Sequence, residues 1–188
     1  CTEVYSFTTE ADPCIGVVPT GDTFANPIVL GALVSGTPIT SAGDNLAANC
    51  WHNDYTSSST PGNSLAKTGK DVFYQFEITD LCNSLSVGTC TTSFDTYLQI
   101  LDSTGARIYG DDDACSTPNS LGSLLTGLTL APGTYYAVVE GFGSGEGTFT
   151  LSLDYTSTPS VTYYADADGD TFGDATANPV QLCAPTTG

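Results

Sequence analysis

Thr148-Phe149-Thr150-Leu151-Ser152-Leu153-Asp154-Tyr155 is the stretch that decides how this chain folds. Apolar side chains fall on every second residue, at Phe149, Leu151, Leu153 and Tyr155, with mostly polar ones between them. A β-strand turns successive side chains to opposite faces, so this spelling puts one face on a core and the other in water. Residues 71–78 repeat it with Val72, Tyr74, Phe76 and Ile78 on one face. Residues 96–101 align Leu98 with Ile100, and residues 135–139 align Tyr136 with Val138. No stretch keeps helical spacing for three turns. The expected fold is therefore all-β, an antiparallel β-sandwich or jelly roll.

Turns punctuate these strands. Gly141-Phe142-Gly143-Ser144-Gly145-Glu146-Gly147 reads as a glycine-rich hairpin loop suited to positive φ, and Ala131-Pro132-Gly133-Thr134 as a turn whose proline presets φ. Residues 41–70, rich in Ser, Thr, Gly and Asn, read as one long loop tethered by Cys50. Ahead of the first sandwich strand, expected near residues 24–30, lies Glu3-Val4-Tyr5-Ser6-Phe7-Thr8-Thr9, strand-like with aromatics on one face. This divides the chain into an N-terminal arm at 1–20, a sandwich at 21–157 and an acidic tail at 158–188. A strand outside the sandwich unit must pair somewhere. Val4, Tyr5 and Phe7 are the candidate self-assembly strand, either capping their own sheet or completing a neighbour's.

The composition narrows the function. The 188 residues, 40% hydrophobic and 10% aromatic, suffice for a real core. No run of about 18 apolar residues exists to form a membrane span. With 3 Lys+Arg against 21 Asp+Glu, the net charge of −18 excludes nucleic acid as a partner, because phosphate binding needs clustered cations. Met is absent, which points to a processed chain, most simply one that has lost a secretory leader. The 7 cysteines are scattered without a CxxC pair, which argues for disulfides formed in an oxidising compartment, extracellular or at the cell surface. Cys14, Cys50, Cys82, Cys90 and Cys115 are the candidate disulfide cysteines; spacing does not say which pairs with which. An odd count leaves one over. Either Cys1 is lipidated, or one cysteine bonds a neighbouring molecule, or Cys183 has lost its partner by truncation, which is the preferred reading.

Two acidic stretches carry the candidate chemistry. Asp166, Asp168 and Asp170 occupy alternate positions and Asp174 follows, with Phe172 placed to offer its backbone carbonyl. Calcium takes about six to eight oxygens, and such a loop supplies several of them. Ala177 stands where an EF-hand would carry its bidentate Glu, so a partial site completed by water or another segment is expected. The second stretch is Asp111-Asp112-Asp113, aided by Asp95 and Asp102 at the ends of the preceding strand. A run of charges more often forms a solvated surface. Trp51, beside the lone His52, is the candidate ligand-binding residue, a stacking platform for a glycan, against the commoner role of a packed aromatic. His52 lacks an identifiable nucleophile, and neither G-x-S-x-G nor HExxH occurs, so no catalytic residue is assigned. Asp102-Ser103-Thr104 matches a short O-glycosylation pattern.

From about residue 21 to 155 the chain resembles the bacterial pre-peptidase C-terminal domain family. The residues that carry the resemblance are Asp71-Val72-Phe73-Tyr74-Gln75-Phe76, Ser93-Phe94-Asp95-Thr96-Tyr97-Leu98, Gly110-Asp111-Asp112-Asp113, Leu130-Ala131-Pro132-Gly133-Thr134-Tyr135-Tyr136 and Gly147-Thr148-Phe149-Thr150-Leu151. The resemblance implies a secreted β-sandwich module without catalytic residues of its own, and strengthens the metal reading of the 111–113 loop. Tyr163-Tyr164-Ala165-Asp166-Ala167-Asp168-Gly169-Asp170-Thr171-Phe172-Gly173-Asp174 looks like a partial thrombospondin type 3 repeat, an order similar to that of Bacteroidetes surface proteins. The expectation is a non-catalytic, calcium- and disulfide-stabilised structural protein that self-assembles by β-strand addition into a surface fibre or adhesive layer. The alternative is a substrate- or glycan-binding accessory module of a larger secreted hydrolase.

Overall fold

The computed structural model describes residues 14–52, 69–118, 120–166, 169, 173–174 and 176–184. In chain order its strands are β1 (Ile28–Ala32), β2 (Ile39–Asp44), β3 (Val72–Ile78), β4 (Asn83–Thr92), β5 (Thr96–Leu101), β6 (Arg107–Asp111), β7 (Leu124–Leu128), β8 (Gly133–Gly141), β9 (Thr148–Ser157), β10 (Ser160–Tyr163) and β11 (Val180–Cys183). Among the described residues the one helical element is a single 3-10 turn at Ala47–Asn49. No helix there is long and apolar enough to cross a membrane.

The fold is an all-β sandwich. One sheet has the order β1-β3-β8-β5-β6, the facing sheet β2-β9-β4-β7, and β10 with β11 forms a separate two-stranded ribbon. All pairings are antiparallel except β1 with β3, which run parallel. The chain can make that parallel pair because it passes through β2, in the other sheet, before returning as β3. The inward positions of β3, β5 and β9 are those the alternation marked. Tyr74, Phe76, Leu98 and Ile100 meet Leu85, Val87, Leu151 and Leu153 in one core. Tyr74 and Phe149 cross the gap between sheets edge to face, ring centres 6.3 Å apart. Each fully buried side chain of this size contributes about 1.5–3 kcal/mol.

Three departures from the sequence reading have physical causes. First, Tyr136 and Val138 do share a face, but Ala137 and Val139 are the residues on the main core. Tyr136 and Val138 pack on the outer side of the sheet with Phe73, Leu101 and Phe24, so β5 and the centre of β8 are covered on both faces. Second, residues 39–44 form a strand rather than the start of a long loop. Its inward positions are Ile39, Ser41 and Gly43, opposite Leu153, Leu151 and Phe149. A side chain on Gly43 would collide with the Tyr74 hydroxyl and the Phe149 ring, so the strand is small where its neighbours are large. Third, Cys183 is not an orphan. It bonds Cys82, with Cα atoms 5.3 Å apart, while Cys14 bonds Cys50 and Cys90 bonds Cys115. The ribbon brings β11 back beside the start of β4, a return that no spacing reveals. Cys1, with the arm residues Val4, Tyr5 and Phe7, lies outside the described residues.

Candidate functional site

β5 and β6 are antiparallel, with Leu98 opposite Asp111, so the residue entering β5 meets those leaving β6. Asp95 is the former, Asp112 and Asp113 the latter. One carboxylate oxygen from each lies within 4.8 Å of the other two. Asp95 and Asp112 are half-buried and Asp113 is exposed. Burial, and next the charge of Asp113, push the Asp95 carboxyl above its ordinary range. Its Oδ1 is buried and meets no hydrogen-bond donor among the described residues. Three convergent carboxylates with an oxygen left over fit a hard cation such as calcium, which takes oxygen ligands in flexible numbers.

The loop holding them is anchored on both sides. The Ser123 hydroxyl lies within hydrogen-bond reach of the Thr96 carbonyl at 2.7 Å and the Asp112 carbonyl at 2.9 Å. It belongs to a buried hydroxyl group with Thr89 and Thr96, whose Oγ1 atoms are 2.7 Å apart. The Cys90–Cys115 disulfide fastens the same loop to β4. Asp111 does not join the cluster. Its Oδ2 accepts the backbone N–H groups of Leu124 at 2.8 Å and Ala114 at 3.1 Å, which ties β6 to β7. Asp102 is also occupied elsewhere. Its Oδ1 accepts from the Thr104 hydroxyl and from the amides of Thr104 and Ala106, and these bonds hold its carboxyl below the usual range.

In the tail, the Asp166 Oδ1 accepts the Gly169 amide at 2.8 Å. Asp174 accepts the hydroxyl and amide of Thr176, which lower its pKa, while its own amide donates to the Ala165 carbonyl at 2.9 Å. Asp168, Asp170 and Phe172 lie outside the described residues. Trp51 is half-buried against the core, and its indole N–H donates to Asp44 Oδ1 at 3.1 Å. His52 is gripped by the buried Asp22, which accepts its amide at 2.6 Å and contacts its Nδ1 at 2.8 Å.

Two polar hubs escaped the sequence reading. Asn45, fully buried, donates to the Lys70 and Gly145 carbonyls at 3.3 and 3.1 Å and accepts the Gly147 amide at 2.8 Å. Nothing in the local sequence distinguishes it from the Ser-, Gly- and Asn-rich residues around it. On the outer face of β5, buried Gln99 donates to Glu140 at 3.0 Å. Its place among Tyr97, Leu98, Ile100 and Leu101 was a legible signal, since a polar residue in a strand covered on both faces needs a partner.

Comparison with known proteins finds likeness at the level of structure only. The chain is similar to the pre-peptidase C-terminal domain of collagenase from Bacillus anthracis, with TM-score 0.42 and 12% identity, covering 69% of this chain and 94% of that one. It is also similar to PliG from Aeromonas hydrophila, a periplasmic inhibitor of g-type lysozyme, with TM-score 0.36 and 7% identity, covering 69% of this chain and 99% of that one. No protein-family model and no curated protein matches it. The class is defined by the chain's own architecture: an all-β sandwich module closed by three disulfides. Those bonds place it in an oxidising compartment, extracellular or periplasmic.

Proposed function

We propose that this protein is a non-catalytic structural subunit of the cell exterior, stapled by disulfides and by calcium, that assembles with copies of itself into a surface fibre or layer. The observation carrying the calcium part is the convergence of Asp95, Asp112 and Asp113 on a loop pinned by Cys90–Cys115. Bound calcium would neutralise their mutual repulsion and lock the β6–β7 loop to the start of β5. Self-assembly is supported by strand edges that have no neighbour among the described residues: β1 ends its sheet with Val29 65% exposed, and β6 ends the same sheet with Ile108 and Tyr109 exposed. Strand addition at such edges gives continuous main-chain hydrogen bonds between subunits. The second reading is a substrate- or glycan-binding accessory module of a larger secreted hydrolase, in which Trp51, half-buried against the core with its indole N–H on Asp44, would be the ligand contact.

Calcium titration calorimetry and thermal melts in calcium or EDTA test the first part. Calcium at about 100 times its dissociation constant should stabilise the fold by about 2.7 kcal/mol, raising Tm by about 5–10 °C. Asp112→Asn should abolish most of that rise. Absence of both heat and Tm change would refute calcium binding. Electron microscopy of the purified full chain in calcium tests assembly, and uniformly monomeric particles would refute it.

A further inference from the structure

The β10–β11 ribbon is exposed on both faces. Val161 pairs with Leu182 and Tyr163 with Val180, so strand alternation puts these four on one face. They are 39%, 48%, 39% and 53% exposed respectively. The opposite face carries Ser160, Thr162 and Gln181, joined by hydrogen bonds of 3.1 and 2.6 Å, and Cys183, which bonds Cys82 of the sandwich. The polar residues are exposed as well, so the four apolar side chains stand in solvent on a ribbon that the Cys82–Cys183 bond ties to the sandwich. Among the described residues neither strand has a second neighbour. A two-stranded ribbon is marginal in water and gains most from a third strand.

Besides the ribbon's own strands, the sequence offers a strand-patterned segment outside the sandwich unit at residues 3–9. A copy cannot place that segment on its own ribbon. Cys14, bonded to Cys50, is held beside the 3-10 turn, at the end of the sandwich where Asp44 pairs with Thr148. The ribbon hangs from Cys82, at the end where Asn83 pairs with Ser157. β9 runs from Thr148 to Ser157, so these ends are about 30 Å apart. With residues 3–9 seated on the ribbon, the chain from Thr9 to Cys14 spans at most about 18 Å.

We propose that residues 3–9 of one copy add as the third strand to the β10–β11 ribbon of the next, extending its apolar face with Tyr5 and Phe7. This rests on the self-assembly reading and names its acceptor. Donor and acceptor sit at opposite ends, so the contact is head to tail and builds an open filament rather than a closed pair.

The test uses three chains: the full one, one lacking residues 1–10, and the full one carrying Val161→Thr with Leu182→Thr, which keeps strand propensity and removes the apolar face. Electron microscopy and sedimentation should find filaments from the first and monomers from the other two, with melting of the sandwich unchanged. Mixing the two altered chains should yield dimers and nothing longer, because one supplies only a donor and the other only an acceptor. A labelled synthetic peptide of residues 2–12 should bind the arm-deleted chain at least tenfold more tightly than an arm-deleted chain with the two threonines. Filaments that survive the double threonine change, a mixture that stays monomeric, or peptide binding indifferent to the threonines would each overturn the ribbon as acceptor and leave self-assembly standing. A full chain that never polymerises would overturn both.

Discussion

Replacing Cys183 with serine opens a covalent loop of 101 residues, against 36 for Cys14–Cys50 and 25 for Cys90–Cys115. Cys183 sits on an exposed ribbon, so the serine itself buries nothing, and the Cys82 thiol left behind is 5% exposed and tolerates an apolar site. The effect therefore comes mainly from the unfolded chain, which loses a cross-link spanning β4 to β11. The loop-closure relation gives about 4.7 kcal/mol for a loop of that length and about 3.5 kcal/mol for the Cys90–Cys115 loop. For a chain of this size a loss near 4.7 kcal/mol lowers Tm by about 10–20 °C. Urea unfolding followed by tyrosine fluorescence, with thiol counting to verify the oxidised state, measures it. The Cys183→Ser chain should show the larger loss, with far-ultraviolet dichroism still that of a β protein. A stability within about 0.5 kcal/mol of the parent chain would refute the reasoning, since the ribbon would then not be closing a loop around the sandwich.

Asn45→Ala should cost about 2–4 kcal/mol and loosen the glycine-rich loop, because it strands the Gly147 amide and the Lys70 and Gly145 carbonyls; equilibrium denaturation and amide exchange at Gly147 measure it. Tyr74 supplies a prediction in alkali. Burial, the largest cause, and the Asp44 charge raise its pKa to about 12, with nearby Ser41 opposing them. An acid whose folded pKa is raised favours the native state only while it is protonated. Stability should therefore fall as pH climbs from 10 through 12, by up to about 2.7 kcal/mol. Tyr74→Phe should flatten that limb and leave neutral-pH stability nearly unchanged, as read from urea midpoints between pH 7 and 12.

The acidic clusters were half legible. That 111–113 must form a loop follows from three adjacent charges. That Asp95 joins Asp112 and Asp113, while Asp111 turns to the amides of Ala114 and Leu124, depends on how β5 registers against β6. β4 was hidden for a similar reason. It has only Leu85 and Val87 as buried aliphatics, and Gly88 faces Leu124, which fills the space a side chain would take.

From its order of residues alone this chain settles its β class, because alternation is a property of neighbours and needs no partner to be read. Its scattered cysteines likewise point to an oxidising compartment. Which cysteine meets which and which aspartates converge were decided only on folding. Each depends on strands far apart in sequence coming into register, and register is set by side-chain size and hydrogen bonding across the sheets.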